Sequence, residues 1–335
     1  MHKIKFGIIG FGNIGKRHAH HILKHPGAEL VGICDLPGFK FPEEITSTIP
    51  VFSSAEEFLF QTQADVINVC TPNYLHHVHT LLALEQKKHV VCEKPMAISS
   101  QACDAMIEAA ERNQRTIFVV KQNRYNQPVQ ELKQLLQRGT LGKILMVQVN
   151  CFWNRNEYYY QESSWRGKKD LDGGCLFTQF SHFTDILFYL FGTMNNVQGK
   201  LRNLNHPYTE VEDSGSFCME TEEGALVNFN FTTCSYEKNM EGSFTVFGEY
   251  GTIKIGGQYL NTIEYQCVKD YVIPELNHYV KPNDYGKYQG SMSNHDKVIQ
   301  NVIDTLRGTD TVMTNAFEGK QVVALIEAMY KAGNA

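Results

Sequence analysis

Five short apolar runs punctuate the first third of the chain: "IKFGIIG" (4–10), "AELVGICD" (28–35), "ADVINVC" (64–70), "KHVVCEK" (88–94) and "TIFVVKQ" (116–122). They are apolar on both faces and bounded by polar or turn residues, the pattern of fully buried strands. Between them lie segments with helical spacing: "NIGKRHAHHILKH" (13–25), "SAEEFLFQT" (54–62), "HHVHTLLALEQ" (76–86) and "SQACDAMIEAAERN" (100–113), the last entered through Ser99 as N-cap. Such alternation predicts a parallel sheet covered by helices on two sides, a doubly wound α/β domain over residues 1–122.

Beyond residue 123 the pattern changes. "ILMVQVNCFW" (144–153), "SGSFCME" (214–220), "ALVNFNFTT" (225–233), "GSFTVFG" (242–248) and "TIKIGG" (252–257) follow one another through tight turns such as "TEEG" and "GEYG". Short strands in that order predict a mostly antiparallel sheet in an α+β domain over residues 123–335. Two helices close the chain: "NHDKVIQNVIDTLRG" (294–308) and one after Asn315, where Asn315 and Glu318 have capping-box spacing. These terminal helices are free to pack back on the first domain. In "DGGCLFTQFSHFTD" (172–185) a glycine pair leads into a segment that reads as a helix, Leu176, Phe177, Phe180 and Phe183 on its buried face and Thr178, His182 and Asp185 spaced along one side.

Composition narrows the function classes. With 335 residues the chain accommodates two domains of about 150 residues each. A formal charge of −5, from 31 basic and 36 acidic residues, argues against nucleic acid or an anionic membrane as partner and favours a small molecule. The nine cysteines contain no C-x-x-C pair and several sit inside apolar runs, so neither a disulfide framework nor a zinc site is expected, and a reducing, cytoplasmic setting is. Glycines and then Asn13, Lys16 and Arg17 interrupt the first apolar run, so it is not read as a signal peptide, and no membrane span is expected.

"GFGNIG" places Gly10, Phe11, Gly12, Asn13, Ile14 and Gly15 directly after a predicted strand and at the opening of a predicted helix. In G-x-G-x-x-G the first glycine makes the tight turn, the second admits a pyrophosphate and the third lets the helix close on the strand. Asp35 ends the second strand, where its carboxylate accepts hydrogen bonds from the adenine ribose. A 2′-phosphate at ~4 Å from that carboxylate would be repelled by about 4 kcal/mol per unit charge at an effective dielectric of ~20, so NAD is expected over NADP. The pairs His18/His21 and His76/His79 have helical i, i+3 spacing, but no acidic or cysteine ligand accompanies them in sequence, and no metal is assigned. "WNRNEYYY" (153–160) has two open readings, a stacking platform or an interface edge.

"VCTPNYLHHVH" (69–79), "CEKPMA" (92–97), "NRYN" (123–126), "SSWRG" (163–167), the Gly-Gly segment ending in H-x-x-D and "GEYGTIKI" together resemble the glucose-fructose oxidoreductase and inositol dehydrogenase (Gfo/Idh/MocA) family, in order along nearly the whole chain. The resemblance implies a Rossmann domain joined to an α+β domain with an open antiparallel sheet, through which a homo-oligomer (dimer or tetramer) is expected. It implies Lys94 as the active-site lysine, with a cis peptide to Pro95. It places Thr71, Pro72, Asn73, His76, Glu93 and Lys94, with Trp165, at the cofactor, Arg166 at the cofactor pyrophosphate or an anionic substrate, and Lys94, Arg124, Tyr125 and His182 at the substrate. His182 matches the family's proton-transfer histidine. Many members carry an aspartate four residues earlier, where this chain has Thr178, which is placed to bond substrate. Asp185 is placed either to orient the imidazole or to serve structure. Residues 163–187 are most similar to the branch of UDP-N-acetylglucosaminuronate 3-dehydrogenases.

The activity so implied is NAD-dependent transfer of hydride between nicotinamide and a hydroxyl or keto carbon of a sugar or nucleotide sugar. An imidazole with a pKa of about 6.5 accepts the hydroxyl proton at neutral pH, whereas a lysine near 10.4 stays charged and polarises the oxygen. Two other readings stay open: oxidation or reduction of a free sugar, cyclitol or glycoside, and a dinucleotide-responsive binding protein without turnover.

Overall fold

The computed structural model describes residues 2–274, 276, 282–284 and 289–334. The chain divides into two compact units, Met1–Lys121 with His295–Val323, and Gln122–Asn294 with Ala324–Ala335.

The first unit holds a six-stranded parallel sheet of β1 (Ile4–Ile9), β2 (Ala28–Cys34), β3 (Val51–Phe52), β4 (Val66–Val69), β5 (His89–Cys92) and β6 (Ile117–Val119), in the order β3-β2-β1-β4-β5-β6. Its helices are α1 (Asn13–Lys24), α2 (Glu43–Thr46), α3 (Ala55–Gln61), α4 (His76–Glu85) and α5 (Ser100–Asn113). Val66, Ile67, Val90 and Val91 have no solvent exposure, the consequence of helices on both faces. Strand order reverses between β1 and β4, so the carboxyl ends of these two strands form the crevice where such sheets bind ligands. Ser99 caps α5 by accepting from the Ala102 amide at 3.2 Å. The two-residue β3 escapes any pattern-based reading.

In the second unit the α6 (Gln127–Gln137), α7 (Glu157–Gln161), α8 (Lys169–Asp172), α9 (Cys175–Thr178) and α10 (Ser181–Phe191) helices accompany a seven-stranded sheet. Its strands are β7 (Ile144–Phe152), β8 (Met194–Arg202), β9 (Ser214–Thr221), β10 (Leu226–Thr232), β11 (Glu241–Gly248), β12 (Gly251–Gly256) and β13 (Thr262–Val268), in the order β13-β12-β11-β7-β10-β9-β8. All neighbours are antiparallel except β7 and β10. Central β7 alternates, with Val147, Val149 and Cys151 inward and without exposure, while edge strand β8 is polar and exposed along much of its length and edge strand β13, TIEYQCV, alternates but faces solvent over most of its length. The polarity of β8 hides that edge from a reading based on apolar runs. A small pair, β14 (Pro282–Asp284) and β15 (Gln289–Met292), lies outside this sheet.

Two helices end the chain. α11 (His295–Leu306) packs on α1 in the first unit, and α12 (Ala316–Gly333) is shared between the units' residues. The capping box at α12 forms: Glu318 N–H donates to Asn315 Oδ1 at 3.0 Å and Asn315 N–H to Glu318 Oε2 at 3.2 Å. Among the described residues no helix is long and apolar enough to cross a membrane. All nine cysteines are free thiols.

Candidate active site

The glycine turn sits at the carboxyl end of β1. Gly10 has φ +91°, and a Cβ there would lie 2.7 Å from the Cys70 carbonyl oxygen; at Gly15 it would run into the Gly10 carbonyl. Gly12 differs: nothing stands within 4 Å of where its Cβ would be. Gly12 and Asn13 are exposed, and α1 begins there with no side-chain cap and no acidic residue in its first turn. Free helix-terminal N–H groups beside an open glycine fit a pyrophosphate. Asp35 is locked to this turn, its Oδ2 accepting from the Phe11 amide at 2.5 Å and its Oδ1 from the Leu36 amide at 2.7 Å. Phe11 itself is buried against Phe39 and Phe41. The two glycines therefore predict opposite phenotypes. Gly12→Val is expected to weaken NAD affinity by at least about ten-fold, or about 1.4 kcal/mol, without altering stability. Gly15→Ala is expected to cost about 1–3 kcal/mol of stability through overpacking. Urea denaturation and NADH titration of both variants separate the effects.

The turns after β4 and β5 are tied together by His76, whose Nδ1 lies 2.6 Å from the Pro95 carbonyl and whose Nε2 lies 2.8 Å from the Thr71 carbonyl. Complete burial lowers its pKa, although both carbonyls favour the protonated ring. Thr71 and Pro72 are half-buried and Asn73 is buried in the same turn. The Lys94–Pro95 peptide is cis. Glu93 is buried and pairs with His18 Nε2 at 2.9 Å, while His295 Nε2 stands 3.6 Å away. Burial opposes its charge, but the hydrogen bond from His18 and the nearby His295 outweigh burial and hold the carboxyl well below the usual carboxylate range. His18 Nδ1 in turn meets the Asn68 amide at 2.6 Å, which leaves Nε2–H to donate to Glu93. The Lys94 amide donates to Glu93 Oε2 at 3.1 Å, so this network fixes the backbone of the half-buried lysine. Asn68 and His295 carry no sequence signal for this role, since they lie far from Glu93 along the chain.

In the second unit the glycine pair has a steric cause. Gly173 and Gly174 have φ of +83° and +109°, and a Cβ on Gly174 would strike the Tyr330 hydroxyl and approach Glu212 Oε2 to 2.9 Å. Tyr330 Oη donates to Glu212 Oε1 at 2.6 Å, and burial, only partly offset by such bonds, pushes the Glu212 carboxyl up to about 7.

The helix expected after the glycine pair is broken. The Phe180 amide reaches back to the Cys175 carbonyl, five residues earlier, at 2.9 Å, and α9 ends before α10 begins. Thr178 is thus not a regular i, i+4 neighbour of His182. Its hydroxyl bonds the Asp172 carboxylate, whose other oxygen accepts from the Gly167 amide at 2.6 Å. Asp172, buried within the same segment, is a residue the sequence reading passed over. Phe180 and Phe183 pack on Trp153, Phe231 and Phe244 and anchor the first turn of α10, which carries His182 at 5% exposure.

Both Asp185 oxygens are taken by Arg124, at 3.0 Å from Nε and 2.8 Å from Nη2, with both residues buried. The guanidinium also lies over the Tyr189 ring. Tyr125 is half-buried in the same turn. Arg166 donates to the Tyr159 carbonyl at 3.1 Å, lies over the Tyr159 ring and faces Glu162, with half-buried Trp165 beside it. Of "WNRNEYYY", Trp153, Tyr159 and Tyr160 are interior residues, leaving Tyr158 exposed.

A parallel sheet with an open glycine turn at its switch point, and an aspartate fixed beside that turn, defines a dinucleotide-binding Rossmann fold. Residues 4–121 match the oxidoreductase family NAD-binding Rossmann fold, and residues 129–254 match the GFO/IDH/MocA C-terminal domain. The chain belongs to the GFO/IDH/MocA family and uses NAD. The WlbA dehydrogenase from Bordetella pertussis, solved in complex with NADH and UDP-GlcNAcA, superposes with a TM-score of 0.87 at 34% identity, covering 99% of this chain and 97% of that one. A glucose-6-phosphate 3-dehydrogenase of Bacillus subtilis is 30% identical over 256 residues, 73% of this chain and 72% of that protein. An uncharacterized oxidoreductase of Streptococcus pneumoniae is 26% identical over 250 residues, 74% of this chain and 65% of its own length.

Proposed function

We propose that the protein oxidises a secondary hydroxyl of a UDP-activated sugar acid, of the UDP-GlcNAcA class, with NAD as acceptor. The observation that carries this reading is the likeness to the UDP-GlcNAcA-bound dehydrogenase over nearly the full length of both chains. The relative that acts on glucose 6-phosphate supports a second reading, a sugar without a nucleotide.

NAD, when bound, supplies the hydride acceptor. In this reading Gly12 and the first turn of α1 hold the pyrophosphate, Asp35 takes the adenine ribose, and the remaining work falls to two side chains. His182 accepts the hydroxyl proton, since a neutral imidazole nitrogen is a general base. Lys94, on a backbone braced by Glu93 and His18, offers positive charge to the oxygen as it becomes an alkoxide. In reduction the same histidine donates the proton. Asp185 acts through Arg124, as a positioning residue for α10.

Lys94→Ala is expected to lower kcat by about 10²–10³-fold while NADH affinity is kept, the signature of lost transition-state stabilisation. Turnover within a few-fold of the parent would remove Lys94 from the chemistry. For substrate class, a thermal-shift series with NAD present is decisive. At 100 times its Kd, a true ligand stabilises by about 2.7 kcal/mol. Stabilisation by UDP-GlcNAcA but not by glucose 6-phosphate or inositol is the expected result; the reverse order supports the second reading.

A further inference from the structure

We propose that His206, Asp213 and Cys234 form a binding site for a divalent cation of the zinc class. The three lie in the second unit, in the loop after β8 and just past the end of β10, and none takes part in the chemistry assigned above. One ligand atom from each lies within 4.8 Å of the other two, and Cys234 Sγ is 4.0 Å from His206 Nε2. Metal bonds of about 2.0–2.3 Å in tetrahedral array separate ligand atoms by roughly 3.5 Å, so small side-chain movements suffice.

Each donor is prepared for a cation. Asp213 Oδ2 accepts from the amides of Leu204, Asn205 and His206 at 2.8, 2.6 and 3.2 Å, whereas its buried Oδ1 has no hydrogen-bond partner. Three amide donors on one oxygen favour the carboxylate form, and Asp213 makes no ion pair among the described residues. A buried charge of this kind calls for a counter-charge.

The tautomer of His206 also fits. The Thr233 hydroxyl donates to the Asp213 carbonyl at 3.3 Å, so at 3.3 Å from His206 Nδ1 it serves as acceptor of the Nδ1 proton. That leaves the Nε2 lone pair facing the Cys234 sulfur, the outer-shell arrangement in which a histidine binds metal. His206 packs against the Tyr160 and Tyr208 rings. Cys234 is half-exposed and supplies the entry path, and metal binding releases its thiol proton to solvent. A cysteine, a histidine and a carboxylate suit zinc rather than magnesium or calcium. Such an ion would pin the 203–213 loop to the sheet.

The test uses full-length protein, freed of metal by chelator and titrated with Co²⁺. One equivalent is expected to produce a thiolate-to-cobalt charge-transfer absorption. That band is expected to vanish in Cys234→Ser, and affinity to fall at least about ten-fold in Asp213→Asn, with NADH binding intact as the check on folding. Wild-type protein gives a second readout: Zn²⁺ is expected to slow alkylation of Cys234 but not of the exposed Cys218 and Cys267. Absence of the band, its persistence in Cys234→Ser, or alkylation of Cys234 indifferent to Zn²⁺ overturns the proposal.

Discussion

Replacing His182 by alanine is expected to lower kcat by about 10²–10⁴-fold, the range of general acid–base catalysis. The change should also remove the ascending limb of kcat/KM against pH. In the parent, deprotonation of the imidazole creates the base, so the rate of oxidation rises with pH through that pKa and then levels. In the variant that rise disappears while NADH titration is unchanged. A histidine that merely fills the core would give a different outcome: a less stable protein whose folded fraction keeps its rate and pH profile. His182 is 5% exposed, so stability and rate must be measured together.

Asp185→Ala carries the second large effect, and it is one of stability. Arg124 and Asp185 have side-chain exposures of 0% and 1% and form a two-pronged pair. Removing one partner leaves a buried guanidinium uncompensated, which costs about 3–5 kcal/mol. Urea denaturation should show a lower midpoint at unchanged slope. The double variant Arg124→Met/Asp185→Leu should recover much of the loss, since a packed apolar pair avoids the desolvation penalty. If Asp185→Asn instead leaves stability intact and depresses kcat, the aspartate belongs to a proton relay and its positioning role is wrong.

The sheet of the first unit was legible because every central strand is apolar on both faces, and the glycine turn because three steric demands fall at fixed spacing. Gly12 and Gly15 carry different burdens that the motif alone does not separate: open space at one, a carbonyl at the other. In the second unit β8 was hidden by polar, solvent-facing sequence, and β7 beside β10 made one parallel pair in a sheet expected to be mostly antiparallel.

The largest local surprise is the break between α9 and α10. Helical periodicity runs straight through "CLFTQFSHFTD", since Phe177, Phe180 and Phe183 satisfy it, but backbone hydrogen bonding does not. Thr178 consequently bonds Asp172, six residues earlier, and Asp185 finds Arg124 rather than the imidazole. Long-range partners such as His18, Glu93 and His295 were invisible for a simpler reason: no local pattern records which side chains the fold brings together. The approach of Asp213 and Cys234 to His206, and of Glu93 to His18, was invisible for the same reason, since the acidic and cysteine partners are distant in sequence from the histidines they meet.

The measurement that bears most directly on the central claim is NADH formation by the full-length protein from NAD, with UDP-GlcNAcA, glucose 6-phosphate and inositol compared side by side. Rapid NADH formation with UDP-GlcNAcA, lost in both Lys94→Ala and His182→Ala, is the predicted result. NADH formation confined to glucose 6-phosphate or inositol, or undiminished in the two variants, would contradict it.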